Sequence, residues 1–352
     1  MMPPIYIQGF ASISAQNTIV SEYFFENIST YTSYPVPAIE PEYKTLIPAL
    51  QLRRMNKSMR MALFTGQLAL QQAQVPTIDA IILGSGMGCL TDSEKFVEAL
   101  LEDEEQRFNP TPFIQSTHNM AAATLALALQ CKGYNMTYVN NANSVASALV
   151  DSQLYLTEHP YHTVLLGGVE ELGKQSPQFW QWAGYAEIDH PHLPPAENTH
   201  KEMISEGAAL FVASAQKLAQ TIAKIHAVEY ATSLKDPQQM LLAFMERHGL
   251  VAASVDAVLL GISSAHDQEV PLQQVASELF EEAAQVGYKH VLGEHDSIAA
   301  SALALACQLL QKQSIPEVLL FKSGKRTKIQ HILIFHQRRG SQPSIIWLSN
   351  DF

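Results

Sequence analysis

Cysteine is nearly absent. The three present, Cys89, Cys131 and Cys307, lie far apart, with no CxxC and no nearby histidine pair. That spacing excludes a disulfide framework and a zinc site, and leaves each cysteine as a small buried hydrophobe. Positive charge is also scarce: 22 Lys and Arg stand against 34 Asp and Glu, a net −12 with histidine neutral. A chain of that sign repels nucleic acid and anionic membrane, and no long basic segment overcomes the repulsion. Long hydrophobic runs are missing too; the longest, such as residues 120–129, are about half of a membrane span. The opening MMPPIYIQGF lacks the basic segment and apolar core of an export signal. These absences lead us to expect a soluble, cytoplasmic protein with no membrane span, no metal and no nucleic-acid partner. What the chain does have is core: 47% of its 352 residues are hydrophobic, enough for one large α/β unit or two domains.

The stretch 134–156, YNMTYVNNANSVASALVDSQLYL, carries the sharpest local signal. A β-branched and aromatic run breaks at Asn140, Asn141 and Asn143, then turns into a helix striped by Val145, Ala146, Leu149, Val150 and Leu154. A strand bent into a helix is a common seat for a nucleophile, because the helix N-terminus offers N–H groups and a positive dipole to developing negative charge. At this corner sits Ala142, which has nothing to react with.

Other segments fill in the α/β order. Residues 4–9 predict a first strand, and 50–73 a helix with the basic cluster Arg53, Arg54, Lys57 and Arg60. That cluster reads as a solvated face or as a docking patch for an acidic partner. IDAIILGSGMGCL (78–90) predicts a strand and a glycine-rich turn; GSGMG lacks both the dinucleotide and the P-loop pattern, so close backbone approach explains its glycines better than phosphate. Strands follow at 161–172, 205–214, 224–232 and 255–261, and in the tail at 317–321, 329–335 and 344–348. IDAIILG (78–84) and VDAVLLG (255–261) match throughout by identity or aliphatic exchange, 177 residues apart. The same offset sets HNMAAAT (118–124) over HDSIAAS (295–301). Two segments in one register indicate a duplicated α/β unit, which we divide as residues 1–210 and 211–352. His118 and His295, related by the repeat, read as helix caps or core residues, or as a pair facing each other across the repeat to hold a polar group, with Asn119 beside the first.

That organisation resembles the thiolase fold, and more narrowly the β-ketoacyl synthases. The resemblance rests on CKGYNMTYVNNANSVASAL (131–149), where the family shows a strand ending in Thr-Ala-Cys, and on LLGGVEEL (165–172), its Ala-Gly-Gly-x-Glu. It rests also on SEGAALFVA (205–213), its Gly-Glu-Gly-Ala strand, and on YKHVLGEHDSIAASALALA (288–306), its Lys-Ser-x-x-Gly-His helix. It implies two similar halves with mixed, mostly parallel sheets in a five-layer αβαβα arrangement.

The family condenses acyl chains on a carrier protein with one cysteine and two histidines. By this resemblance the cysteine position reads Ala142 and the histidine positions read Gly261 and Glu294, with His266 and His295 displaced nearby; Lys289 is retained. The family's Phe-rich glycine gate is replaced, KSGKRTK (322–328) standing in that region. A one-residue shift along a helix turns a side chain by about 100°, so His295 would not substitute for Glu294 unless the corner is distorted. The resemblance therefore implies a non-catalytic subunit similar in role to chain length factors, and more narrowly to the ketosynthase-like proteins of aryl polyene and flexirubin-type clusters. Its partners would be a catalytic ketosynthase, or a second copy of itself, and an acyl carrier protein. It implies no resident cofactor, only the carrier's visiting phosphopantetheine arm. Asn141, Asn143, Ser144, His118, Asn119, Ser263, His266 and His295 are candidate pocket residues. Two alternatives stay open: an active synthase or acyltransferase with displaced groups, Ser144 serving as nucleophile, and an acyl-binding scaffold homodimer.

Overall fold

The computed structural model describes residues 2–19, 21–31, 35–102, 109–183, 203–233, 236–262, 270–338 and 341–352. Its strands are β1 (Ile5–Ile13), β2 (Ala80–Gly84), β3 (Tyr134–Tyr138), β4 (Thr163–Glu170), β5 (Gly207–Ser214), β6 (Ala223–Tyr230), β7 (Ala257–Leu260), β8 (Ala284–Gly287), β9 (Leu320–Lys322), β10 (His331–Arg338) and β11 (Ser341–Ser349). Between them lie helices α1 (Ser21–Glu26), α2 (Ala49–Leu52), α3 (Lys57–Ala73), α4 (Leu90–Glu102), α5 (Pro110–Gln115), α6 (Met120–Leu129), α7 (Ser144–Glu158), α8 (Ser176–Trp182), α9 (Pro237–His248), α10 (Val270–Leu279), α11 (Lys289–Leu292) and α12 (Ile298–Lys312).

The strand order β3-β2-β4-β5-β1-β6-β11-β10-β7-β8-β9 reads as one pattern laid down twice. In the first half β2 runs parallel to β3 and β4, and β5 lies antiparallel between β4 and β1. In the second, β7 runs parallel to β8 and β10, and β11 lies antiparallel between β10 and β6. The halves join through a short antiparallel contact of Ile5, Tyr6 and Ile7 with Ile225, Lys224 and Ala223. Because β5 closes the first half and β6 opens the second, their junction falls in 215–222. A division at 210/211 would cut β5.

Strand alternation sorts the core into three layers of contact. In β2, Ala80 and Ile82 face a central core with α7 and α12, while Ile81 and Leu83 face an outer core with α3 and α6. In β7, Ala257 and Leu259 join the same central core, and Val258 and Leu260 face the outer helices α9 and α10. The result is helix, sheet, helix, sheet, helix. α12 shows why it occupies the middle: every residue from Ile298 to Leu310 is buried, as expected of a helix apolar on all sides.

The helix expected over 50–73 breaks at residues 53–56. Asn56 takes an extended conformation and its Oδ1 accepts the Met59 N–H at 2.9 Å, so capping α3 outweighs one continuous helix.

Candidate functional site

The corner forms where β3 leaves the sheet edge. Residues Asn141–Asn143 make one 3₁₀ turn, Asn141 takes the left-handed φ of 45°, and α7 begins at Ser144. It sits tightly on β2. A Cβ on Gly84 would lie 2.6 Å from the Ser144 carbonyl carbon, so only glycine lets α7 approach this closely.

No side chain at the corner is a nucleophile. Ala142 is a fully buried methyl group. Asn143, also buried, donates through Nδ2 to the Ala231 carbonyl at 2.7 Å. The fully buried Ser144 hydroxyl accepts the Asn140 N–H at 2.9 Å and donates to the Asn141 carbonyl at 2.6 Å. It therefore acts as a backbone cap. A serine nucleophile needs a base to take its proton, and here a carbonyl holds it. The Ala142 N–H points to Gln342 Oε1 at 3.3 Å.

The second-half positions are filled as well. A Cβ on Gly261 would meet the Tyr288 hydroxyl at 2.6 Å and His336 Cα at 2.9 Å, and the Gly261 carbonyl accepts from Gln337 Nε2 at 3.0 Å. Ser263 and His266 lie outside the described residues. Lys289 and Glu294, each 1% exposed in its side chain, pair at 2.5 Å, and Lys289 also donates to the Gln337 carbonyl at 2.6 Å. Gln342, Gln337 and His336 all belong to the β10–β11 hairpin, so one element of the second half meets all three positions. KSGKRTK lies elsewhere, tied to Asp256, Glu281 and Glu282.

His295 is not on a helix. α11 ends at Leu292 and α12 starts at Ile298, so a 100° helical turn is not what separates it from Glu294. Its Nδ1 lies 3.3 Å from Ser297 Oγ, its Nε2 is buried without a hydrogen-bond partner, and it lines a narrow crevice with Glu170, Trp180, Asp296 and Arg338. Its repeat mate His118 is exposed, lying against Gly88, which has a φ of +64°; Asn119 is exposed as well. The expected symmetry of the two histidines is lost: one is solvated and the other interior, with no hydrogen bond joining them among the described residues.

Three acids that were not site candidates organise this region, although Glu170 and Glu206 lie in the LLGGVEEL and SEGAALFVA segments that carry the resemblance. Glu170 accepts the Gly86 and Met87 N–H groups at 2.8 and 2.7 Å, which places the glycine-rich turn. Glu171 caps both α3 and α4, through Ser58 at 2.7 Å and Thr91 at 2.8 Å. Glu206 accepts from Ala38 at 3.0 Å and Leu172 at 2.9 Å, and pairs with Lys57 at 2.5 Å. The adjacent acids in VEEL were the available hint. Lys57 also meets Glu40 at 3.1 Å, so its charge is taken up internally. Arg60 donates to the Leu52 carbonyl at 3.1 Å and lines a groove with Tyr43, Lys44 and Arg53. Of the expected docking cluster, Arg53 and Arg54 are exposed and make no ion pair among the described residues.

Burial sets the titration of this interior. Burial, helped by Arg338, pushes His295 down to about 3, and burial pushes Glu170 up to about 7 against its backbone donors and Arg338. Below pH 6.5 the unfolded chain binds a proton that folded His295 refuses, so its contribution to stability falls as pH drops from 6.5 toward 3. Glu170 acts oppositely, adding stability as pH falls from about 7 to 4.5. A His295→Gln variant is therefore expected to lose less stability than wild type between pH 6.5 and 4, read from urea midpoints; equal pH slopes would refute this.

The sequence matches the family described as β-ketoacyl synthase, N-terminal domain, over residues 33–183. No curated protein matches the chain in sequence. In structure it is similar to a β-ketoacyl synthase from Burkholderia phymatum STM815, at TM-score 0.80 and 16% identity, with 99% of each chain covered. It is similar too to a ketosynthase in complex with its chain length factor from Xenorhabdus doucetiae, at TM-score 0.75 and 13% identity over 99% and 98% of the chains. A third match is a type II polyketide synthase acyl-carrier protein in complex with its ketosynthase, at TM-score 0.77 and 14% identity over 99% of each. Residues 33–183 thus match the β-ketoacyl synthase N-terminal domain, and the chain as a whole has the fold of these ketosynthase structures.

Proposed function

We propose that the chain is a non-catalytic ketosynthase-like subunit that assists acyl-carrier-protein-dependent chain elongation, in the manner of a chain length factor. One observation carries the reading. The corner holds no nucleophile, and the only hydroxyl there, Ser144, is committed to capping the turn. The resemblance puts the family's three chemical positions at Ala142, Gly261 and Glu294, and each of these residues is packed against neighbouring groups. Chemistry would belong to a catalytic ketosynthase partner.

The sheet offers a place for that partner. Among the described residues β3 pairs with β2 alone, so its outer edge presents N–H and C=O groups without a strand partner there, beside Met136 and Val139, which are 37% and 51% exposed. An acyl carrier protein, delivering its chain on a phosphopantetheine arm, would find Arg53 and Arg54 as exposed positive charge on an otherwise acidic protein. No helix among the described residues is long and apolar enough to cross a membrane.

The test is co-expression with a ketosynthase that keeps its cysteine and both histidines. The pair is expected to form a stable complex and to give products whose length shifts when this chain is omitted. A ketosynthase fully active alone with unchanged product length would sink the proposal. The isolated chain is expected to take no acyl label from an acyl-carrier thioester. Labelling that disappears in Ser144→Ala would favour the active-enzyme alternative, and a stable homodimer indifferent to the ketosynthase would favour the scaffold.

A further inference from the structure

A groove of about 580 Å³ lies across the first half's sheet from the corner. It opens at the C-terminal end of α3, which packs on the outer face of the sheet with Ile81 and Leu83, whereas α7 packs on the central face. Gln67 and Gln71 of α3 and its C-cap Gln74 line the groove at i, i+4 and i+7, so the three belong to one helix face. The helix stops there for a visible reason. Gln74 takes a left-handed φ of 54°, the Val75 N–H donates to the Leu70 carbonyl at 3.1 Å, and Pro76 cannot extend the helix. That turn brings Val75 and Pro76 into the groove, and Leu46 and the buried Leu70 complete its apolar part.

The lining selects a ligand class. It contains no Lys, Arg, Asp or Glu, so nothing there recognises a phosphate, a nucleic-acid backbone or a charged side chain. It contains no aromatic ring either, which leaves a base without a stacking surface. What it offers is carboxamide, one acceptor and two donors per glutamine, the complement of a peptide backbone. These groups are available. Gln67 Oε1 is buried without a hydrogen-bond partner, a position that an incoming N–H would satisfy. Gln71 and Gln74 are exposed, and their side chains make no hydrogen bond among the described residues. Four residues of helix rise about 6 Å, and an extended chain repeats groups on one side every roughly 6.6 Å, so Gln67 and Gln71 match alternate peptide units of a strand.

We propose that this groove binds an extended, uncharged segment of another protein: the Gln67 and Gln71 carboxamides pair with its backbone, and an aliphatic side chain between those contacts rests on Leu46, Leu70 and Val75. The site does not rest on the subunit role, because the groove and the corner lie on opposite faces of the sheet.

Isothermal titration of the full chain tests it, with a set of end-blocked hexapeptides in which Val, Leu or Ile alternate with Ser, Thr, Asn or Gln. At least one peptide is expected to bind with a Kd below about 1 mM. Gln71→Ala, at an exposed position, should weaken that peptide about fivefold, the loss of one hydrogen bond, and Gln67→Met should do the same. A version of the peptide N-methylated at alternate residues keeps its side chains but lacks those N–H donors, and should also bind about fivefold more weakly. The proposal is overturned if no peptide of the set binds by about 1 mM. It is overturned equally if the binding peptide is indifferent to Gln71→Ala, which holds even where Gln67→Met fails to fold, or if the N-methylated version binds as tightly as its parent. None of these outcomes depends on a ketosynthase, so the groove and the subunit role fail separately.

Discussion

Replacing Glu294 with alanine is expected to destabilise the protein by about 3–5 kcal/mol, the cost of leaving a buried charge without its partner. Lys289 and Glu294 are each 1% exposed in the side chain and 2.5 Å apart, so the loss of one carboxylate strands an ammonium group in the interior. The Gln337 carbonyl, 2.6 Å from Lys289 Nζ, remains as a dipole but cannot neutralise it. The pair itself need not be stabilising, since removing two charges from water offsets most of their attraction. The double variant Lys289→Met/Glu294→Leu is therefore expected within about 1–2 kcal/mol of wild type. Urea unfolding of the three proteins distinguishes the cases. A single variant that loses less than about 1 kcal/mol would mean that water reaches Lys289 and that the interior at this position is wet.

The second large effect belongs to the corner. Gly84→Val is expected to cost about 3 kcal/mol or more, or to prevent recovery of folded protein. The nearest atoms to a Cβ there are the Ser144 carbonyl carbon and oxygen and the Val145 nitrogen, at 2.6–2.7 Å. All are backbone, so relief requires α7 to lift out of the central layer, where Val145, Ala146 and Leu149 are fully buried. Gly249 supplies the contrast: its φ is +67° but nothing lies within 4 Å of a Cβ, so Gly249→Ala meets only backbone strain of about 1 kcal/mol. Thermal melts of both should differ by several degrees; equal losses would mean that α7 yields and the corner is not tightly built.

Much of the architecture was legible because duplication leaves a linear record. The 177-residue offset between IDAIILG and VDAVLLG is repeated in space, with Ala80 opening β2 and Ala257 opening β7. The strand-to-helix bend at residues 140–144 was readable from polar residues interrupting a β-branched run. The junction between the halves was not, because β5 runs without a polarity change through 207–214 and every residue in it is buried. The basic cluster misled differently. Lys57 is neutralised by Glu206, 149 residues along the chain, and no local pattern announces that pairing.

The site divides in the same way. Sequence by itself determined the chemical inventory: an alanine between asparagines at the corner, a glycine after β7, a glutamate after Gly293, and no cysteine nearby. Those identities decide what a side chain can do, because nucleophilicity and charge are properties of the group itself. Only the tertiary structure decided what fills the resulting spaces. Gln342 reaches Ala142 across 200 residues, and Gln337 reaches Gly261 across 76. The second contact follows from the sheet order, which sets β10 beside β7; the first comes from the packing of the two halves, which brings β11 against the 3₁₀ turn at the corner. The Lys289–Glu294 pair is close in sequence, yet its isolation from water comes from strands and helices far from it in the chain. Burial and proximity are sums over the whole fold, and they set the price of a charge and the fate of an N–H that no local run of residues reveals.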